Sequence, residues 1–138
     1  MRDRNGDTVA TNAYPPAKVQ VQVSEMESHS LVEEAKELLQ KKCGQGVCLK
    51  TIAKQLFVNP AYLGKLFKNY ESISFNDYLV QVRMEKAEAL LIETDLRIYE
   101  IAHEVGYRQL DWFYKNFKEY IGYSAKEYRS INAKSVKP

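Results

Sequence analysis

Two stretches of this chain carry the same landmarks in the same order. Ile52-Ala53, followed by Leu56 and Val58, returns as Ile101-Ala102, followed by Val105 and Tyr107, 49 positions later. Leu63, Phe67-Lys68, Tyr70, Ser72, Ser74 and Tyr78 return as Phe113, Phe117-Lys118, Tyr120, Gly122, Ser124 and Tyr128, 50 positions later. The one-residue change falls in a turn. Self-similarity of this kind means that one supersecondary unit is used twice. The unit reads as a short helix, a tight turn, a second helix ending in Phe-Lys, and then a capped helix. A short helix, a tight turn and a second amphipathic helix make the helix-turn-helix pattern. Its second helix can enter a DNA major groove. Two packed helices are common in proteins, but their repetition with matched landmarks is far more specific.

Helical periodicity runs through the rest of the chain. Leu31, Ala35, Leu38 and Leu39 recur at helical spacing from Ser28 on, and Gly44-Gln45-Gly46 ends that helix. Leu49, Ile52, Ala53 and Leu56 mark a short helix. Asn59-Pro60 opens the next, because asparagine is a good N-cap and proline suits the first turn. Its core stripe is Leu63, Leu66 and Phe67, with Tyr70 at the end. Ser74 with Asp77 forms a weak capping box. It opens a long amphipathic helix carrying Phe75, Tyr78, Leu79, Val82, Ala87, Leu90 and Leu91. Ile98, Ile101, Ala102 and Val105 form another short helix, and Phe113, Phe117 and Tyr120, at i, i+4 and i+7, form the core stripe of the second reading helix. Ser124 with Glu127 caps a last helix through Tyr128 and Ile131.

The expected fold is therefore all-α: about seven helices, arranged as two helix-turn-helix subdomains joined by a long central helix. Residues 1–28 are expected to be a linker or tail. Asn5-Gly6-Asp7 and Pro15-Pro16 break regular structure there. Val19, Val21 and Val23 alternate with glutamine and allow a short strand, though no partner strand is in sight. The functional domain spans 29–138. Within it lie a first unit at 29–73, a linker helix at 74–95, a second unit at 96–131 and a tail at 132–138. Ser74 to Leu91 is 18 residues, roughly 27 Å at helical rise. Major-groove faces on one side of B-DNA recur about every 34 Å. A stiff connector of that length, with the width of the packed units added, could set two reading helices in adjacent grooves.

Composition bounds the other possibilities. The 138 residues fit one domain or two very small ones sharing a core. A net charge of +2 does not by itself point to nucleic acid; the placement of the charges has to. Residues 59–69 hold Lys65 and Lys68 and no acid. No apolar run approaches the ~18 residues of a membrane span. No hydrophobic secretion signal opens the chain, so the expected location is cytoplasmic and no membrane partner is expected. Cys43 and Cys48 flank a glycine turn with no other cysteine or histidine pair nearby, which favours two reduced thiols over zinc. No metal and no cofactor are expected. An enzyme is not expected either: the sequence holds no glycine-rich phosphate loop and no nucleophile with a base at a known spacing.

Three segments resemble a known family: LKTIAKQLFVNPAYLGKLFK, SFNDYLVQVRMEKAEALLIETDLRIYEIAHEVGY and FKEYIGYSAKEYR. They are similar to the DNA-binding domain of AraC/XylS-type transcription regulators, and the likeness runs from about Leu31 to Ser130. VNPAYLGKLFK and TDLRIYEIAHEVGY most resemble response regulators of the YesN type, in which this domain follows a receiver and a spacer. That resemblance implies sequence-specific binding of double-stranded DNA for transcription control. It also implies that the chain is the output part of a two-component response regulator. An output domain of a small-molecule-responsive AraC regulator is a second possibility within the family. Outside the family, the alternative is a helical protein-interaction module that binds no nucleic acid. Contact with RNA polymerase and dimerisation through regions absent from this chain are further expectations. There are departures from the family pattern. Glu71-Ser72 stands where a glycine is usual, Gly122-Tyr123-Ser124-Ala125 replaces Gly-x-Thr-Pro, and Asp111-Trp112 replaces Ser-Tyr or Asn-Tyr.

In the first reading helix, the face opposite the core offers Asn59, Ala61, Tyr62, Gly64, Lys65 and Lys68. By resemblance, Ala61, Gly64 and Lys65 face the groove. Ala61 suits a thymine methyl, Lys65 suits guanine O6/N7 or a phosphate, and Gly64 would let the backbone approach DNA. In the second reading helix the corresponding set is Arg108, Leu110, Asp111, Tyr114, Lys115 and Lys118, with Trp112 near the entrance read as a partly buried packing residue rather than a base-stacking one. Lys115 matches Lys65 in the repeat. Asp111 has two readings: an acceptor for cytosine N4, or an acid held in the first turn by the helix dipole, the second being favoured. Arg83, Lys86, Arg97 and Arg129 are weaker candidates for backbone phosphates.

Overall fold

Capping chemistry sets where several of the helices begin. A computed structural model describes residues 25–136. The described residues form seven helices and no strand: α1 (Glu25–Lys42), α2 (Leu49–Gln55), α3 (Pro60–Glu71), α4 (Phe75–Glu93), α5 (Ile98–Glu104), α6 (Leu110–Ile121) and α7 (Ala125–Val136). Asn59 Oδ1 accepts from the N–H groups of Ala61 at 2.8 Å and Tyr62 at 3.2 Å. Ser74 Oγ accepts from Asp77 N–H at 3.0 Å. Ser124 and Glu127 form a reciprocal box: Ser124 Oγ accepts from Glu127 N–H at 3.1 Å, and Glu127 Oε1 accepts from Ser124 N–H at 3.0 Å. Each bond satisfies an N–H that the first helical turn leaves without an internal partner.

Two ends differ from the sequence expectation. α1 begins at Glu25, and Ser28 is already buried against the fold. α7 continues to Val136, through residues expected to be tail. The alternating valines at 19, 21 and 23 lie outside the described residues.

The repeat holds in geometry as well as in sequence. In the first turn Phe57 N–H donates to Lys54 O at 3.2 Å and Val58 N–H to Ala53 O at 3.0 Å. In the second, Gly106 N–H donates to His103 O at 3.1 Å and Tyr107 N–H to Ala102 O at 2.9 Å. Both reading helices end the same way, with Ser72 N–H on Lys68 O and Gly122 N–H on Lys118 O, each at 2.9 Å. Both sets of turns need left-handed backbone. The second unit places Gly106 (φ +106°) and Gly122 (φ +97°) there, while the first places Phe57 (φ +61°) and Ser72 (φ +67°). The Ser72 departure from the family pattern thus leaves the helix ending unchanged, at the expense of an unfavourable φ.

Two apolar clusters fill the units. The first joins Val32, Ala35 and Leu39 of α1 with Ile52, Ala53, Leu63 and Phe67, and is closed by Phe75, Tyr78, Leu79 and Val82 of α4. The second joins Met84, Ala87 and Leu91 of α4 with Ile101, Ala102, Val105, Phe113, Phe117 and Ala125. One continuous helix therefore lines both cores, and the boundary falls between Val82 and Met84. Phe67 stands edge-on to Tyr78 at 5.2 Å between ring centres, and Phe117 to Tyr128 at 5.7 Å. Each fully buried phenylalanine contributes on the order of 1.5–3 kcal/mol through apolar burial.

The helical period overstated the core at its edges. Tyr120 was expected inside but is 46% exposed, and its repeat partner Tyr70 is 37% exposed. Ile131 is also exposed, and Leu66 is only partly buried. Tyr120 borders an open groove of about 320 Å³ between α4 and α6, lined also by Asp77, Val80, Asn116 and Glu119. Spacing aims its ring toward α4, but α4 does not cover it.

The two units also touch directly through backbone. A Cβ built on Gly44 would collide with the carbonyl oxygen of Glu104, and one on Gly106 with that of Cys43. The turn that ends α1 therefore rests on the turn that ends α5.

Candidate nucleic-acid interface

α3 and α6 are the second helices of their units, and each is amphipathic by construction. Burying Leu63 and Phe67 turns Ala61, Lys65 and Lys68 outward on α3, while Tyr62 and Gly64 lie at the margin. Burying Phe113 and Phe117 turns Leu110, Asp111, Trp112, Tyr114, Lys115 and Lys118 outward on α6. Arg108 is exposed in the turn before α6. The exposed face of α3 is small and basic, whereas that of α6 is bulky and mixed in charge.

Individual side chains sharpen this division. Asn59 is half-buried, and its oxygen is committed to capping α3, which leaves its amide nitrogen as the outward donor. Gly64 does not face open solvent: a Cβ there would stand 3.1 Å from Leu49 Cδ2. Its missing side chain eases the close approach of α2. Trp112 is only partly covered. It is 53% exposed, and the Lys115 ammonium sits 5.2 Å from the centre of its ring, a cation–π geometry. The spacing Trp112–Lys115, three residues apart on one helix, was the signal for that contact. Asp111 occupies the first turn of α6, and the N-cap Gln109 supplies no side-chain bond. The helix dipole favours an acid at that end. The Asp111 carboxylate has no hydrogen-bond or ion-pair partner among the described residues, so it keeps its full accepting capacity.

Three of the four residues expected to meet phosphates bond carbonyls of the protein itself. Arg83 Nε donates to Cys43 O at 3.0 Å, and a terminal nitrogen to Gln45 O at 3.5 Å. Lys86 Nζ donates to Gln40 O. Arg129 Nε donates to Leu91 O at 3.0 Å, and a terminal nitrogen to Thr94 O at 3.1 Å. All three cations meet carbonyls at or just beyond the C-terminal ends of α1 and α4, where helix carbonyls lack internal partners and the dipole is negative. Arg97 alone of the four stands exposed, with its backbone N–H on Glu100 Oε1 at 2.8 Å.

Around α6, Gly106, Tyr107, Arg108, Gln109, Trp112 and Asn116 line an open cleft of about 410 Å³. Asn116 Nδ2 donates to the Tyr107 hydroxyl at 2.9 Å and ties the turn to the reading helix. Cys43 is a buried free thiol and Cys48 an exposed one. Among the described residues, no three His, Cys, Asp or Glu side chains gather as a metal site. No helix among them is long and apolar enough to cross a membrane.

Known proteins share this arrangement. A family profile described as a helix-turn-helix domain matches residues 52–131. The Msm operon regulatory protein of Streptococcus mutans is 32% identical over 106 residues, covering 77% of this chain and 38% of that protein. The transcriptional regulatory protein YesN of Bacillus subtilis is 42% identical over 84 residues, covering 59% of this chain and 23% of that protein. The chain thus spans well under half the length of these relatives. Among solved structures, the C-terminal domain of AraT, a response regulator from Geobacillus stearothermophilus, superposes with a TM-score of 0.72 at 37% identity. That match covers 80% of this chain and 88% of that one. With a doubled helix-turn-helix, a shared linker helix and matches over most of its described length, this chain belongs to the AraC-type helix-turn-helix family.

Proposed function

We propose that this chain binds double-stranded DNA sequence-specifically, with α3 and α6 in successive major grooves, as the output part of a two-component response regulator. The observation that carries this is the matched outward presentation of Lys65 with Lys68 and Lys115 with Lys118 on the second helices of two repeated units. α4, at 19 residues, is roughly 28 Å long, a connector suited to the groove repeat of about 34 Å once the widths of the units are added. On α3, Ala61 and Lys65 supply a methyl contact and a base or phosphate contact. On α6, Lys115 supplies the matching contact, Asp111 offers an acceptor to cytosine N4, and Arg108, Tyr114 and Lys118 reach sugar and phosphate. The likeness to the AraT output domain supports the response-regulator context.

The test is selection from random duplexes, followed by a salt titration on the enriched site. A bipartite motif should emerge, and log K should fall linearly with log[salt]. Lys65→Ala and Lys115→Ala should each weaken binding at about 1–3 kcal/mol if they contact bases. If either contacts a phosphate instead, it should lower the salt slope by about 0.9. Enrichment of no motif, together with unchanged behaviour of both variants, would favour a helical protein-interaction module.

A further inference from the structure

We infer that Arg83 is a positioning residue that locks the two reading units at one mutual angle and so fixes the spacing between the half-sites this chain accepts. The inference rests on the DNA-binding reading above. Arg83 lies on α4 between Val82, the last residue that α4 gives the first core, and Met84, the first that it gives the second. Its position is where a long helix would otherwise be free to bend or twist between two independently packed bodies.

Its guanidinium spans the joint. Toward the first unit it bonds the carbonyls of Cys43, at 3.0 Å, and Gln45, at 3.5 Å. Toward the second unit its Cζ lies 5.4 Å from the centre of the Tyr107 ring. Tyr107 in turn stands edge-on to Phe113 at 5.6 Å and accepts from Asn116 at 2.9 Å, and both of those residues belong to α6. A continuous path of contacts therefore runs from the end of α1 through Arg83 to the second reading helix. The glycines enforce it. A Cβ on Gly106 would meet Arg83 Nε at 3.0 Å as well as the Cys43 carbonyl, so only glycine lets backbone, guanidinium and backbone close up together. Arginine suits the position because its planar fork bonds carbonyls with one edge while its face stacks on an aromatic ring. A lysine could do only one of these.

Spacing follows from angle. Each base pair inserted between half-sites moves the second by about 3.4 Å and turns it by about 34° around the duplex. A rigid joint tolerates neither, whereas a loose one trades affinity at the best spacing for tolerance of others.

The test uses the selected bipartite duplex with its central spacer set at the selected length and at one and two base pairs shorter or longer. Wild type should lose about tenfold in affinity per base pair of misplacement, comparable with a mismatched contact. Arg83→Met keeps the apolar stem and removes the fork. It should bind the best spacing several-fold more weakly, lose much less on each misplaced spacer, and bind a duplex carrying one half-site as wild type does. Arg83→Lys should follow Arg83→Met, because charge alone does not lock the joint. A uniform loss at every spacing would overturn the proposal, and so would an unchanged profile. If Arg83→Met fails to fold, Tyr107→Leu removes the stack together with the Asn116 bond and the ring contact to Phe113, breaks the same path of contacts and should flatten the same profile. A DNA-free measurement separates this idea from the function it rests on. Spin labels at Lys54→Cys and Glu119→Cys, in a Cys48→Ser background, should show a narrow distance distribution that broadens in Arg83→Met. No broadening would sink the lock whether or not any duplex is bound.

Discussion

At the scale of single residues, the repeat makes the first unit a control for the second. Both units need left-handed backbone at two equivalent points, and only the second supplies glycine at both. Left-handed backbone disfavours a residue with a Cβ by roughly 1–2 kcal/mol, and glycine's larger unfolded entropy returns about 0.5–1 kcal/mol of that. Phe57 buries almost nothing in exchange, being 85% exposed. Phe57→Gly and Ser72→Gly should therefore each raise stability, by up to ~1 kcal/mol, with no change at α6. Denaturant midpoints with unchanged slope would show it. A fall in midpoint for both would mean that these side chains make contacts outweighing their strain. The same scale marks the limit of sequence reading. Lys65 and Lys115 were legible as outward residues because periodicity places them opposite Phe67 and Phe117. The exposure of Tyr120 was not, because periodicity gives the direction of a side chain and not whether another element reaches far enough to cover it.

At the scale of helices, the starts that were legible are those written in local chemistry. Asn59-Pro60, Ser74 and the Ser124–Glu127 box bond within three residues of themselves, so no tertiary information is needed to find them. The start of α1 at Glu25 has a signal of the same kind in the sequence, Ser24 with Glu27 at capping-box spacing, which helical periodicity from Leu31 on overlooks. No local signal marks the acceptors of Arg83, Lys86 and Arg129, which lie 35 to 46 positions away in the chain. A cation on a helix face reads as solvated until the end of another helix is seen beside it. The capping box of α7 also carries a pH dependence. The Ser124 backbone N–H, then its hydroxyl, hold the Glu127 carboxyl below its ordinary pKa. A carboxylate depressed in the folded state adds stability above its unfolded pKa, and that stability is lost as pH falls through the folded value. Acid should therefore loosen the start of α7. Glu127→Gln, which keeps the acceptor without the charge, should flatten the acid limb of amide exchange at the first turn of α7. An acid limb equal to that of wild type would show that another group titrates there.

At the scale of the whole molecule, the question is whether two units make one cooperative body. Each has its own buried phenylalanines and its own turn, which favours independent unfolding. Against this, α4 lines both clusters without interruption, from Phe75 to Val82 in one and from Met84 to Leu91 in the other. Unfolding either unit strips the apolar face from half of a continuous helix, and a helical segment of some ten residues is marginal in water without packing. It also parts the backbone contact at Gly44 and Gly106, and it strips the Arg83 guanidinium of its carbonyls if the first unit opens or of the Tyr107 ring if the second does. Both consequences raise the free energy of a half-folded state, so the units should unfold together. Phe67→Leu and Phe117→Leu probe this, since each sits wholly inside one cluster at full burial. Each should cost about 1–2 kcal/mol, between a volume-conserving swap and a full truncation. Because they share no partners, the double variant should be additive to within about 0.5 kcal/mol. In calorimetry, wild type and all three variants should show a single transition whose van't Hoff and calorimetric enthalpies agree. Two resolved transitions, with Phe117→Leu moving only one, would mean that α4 connects the units without coupling them. In that case the geometry between the reading helices would be set by the DNA rather than by the protein.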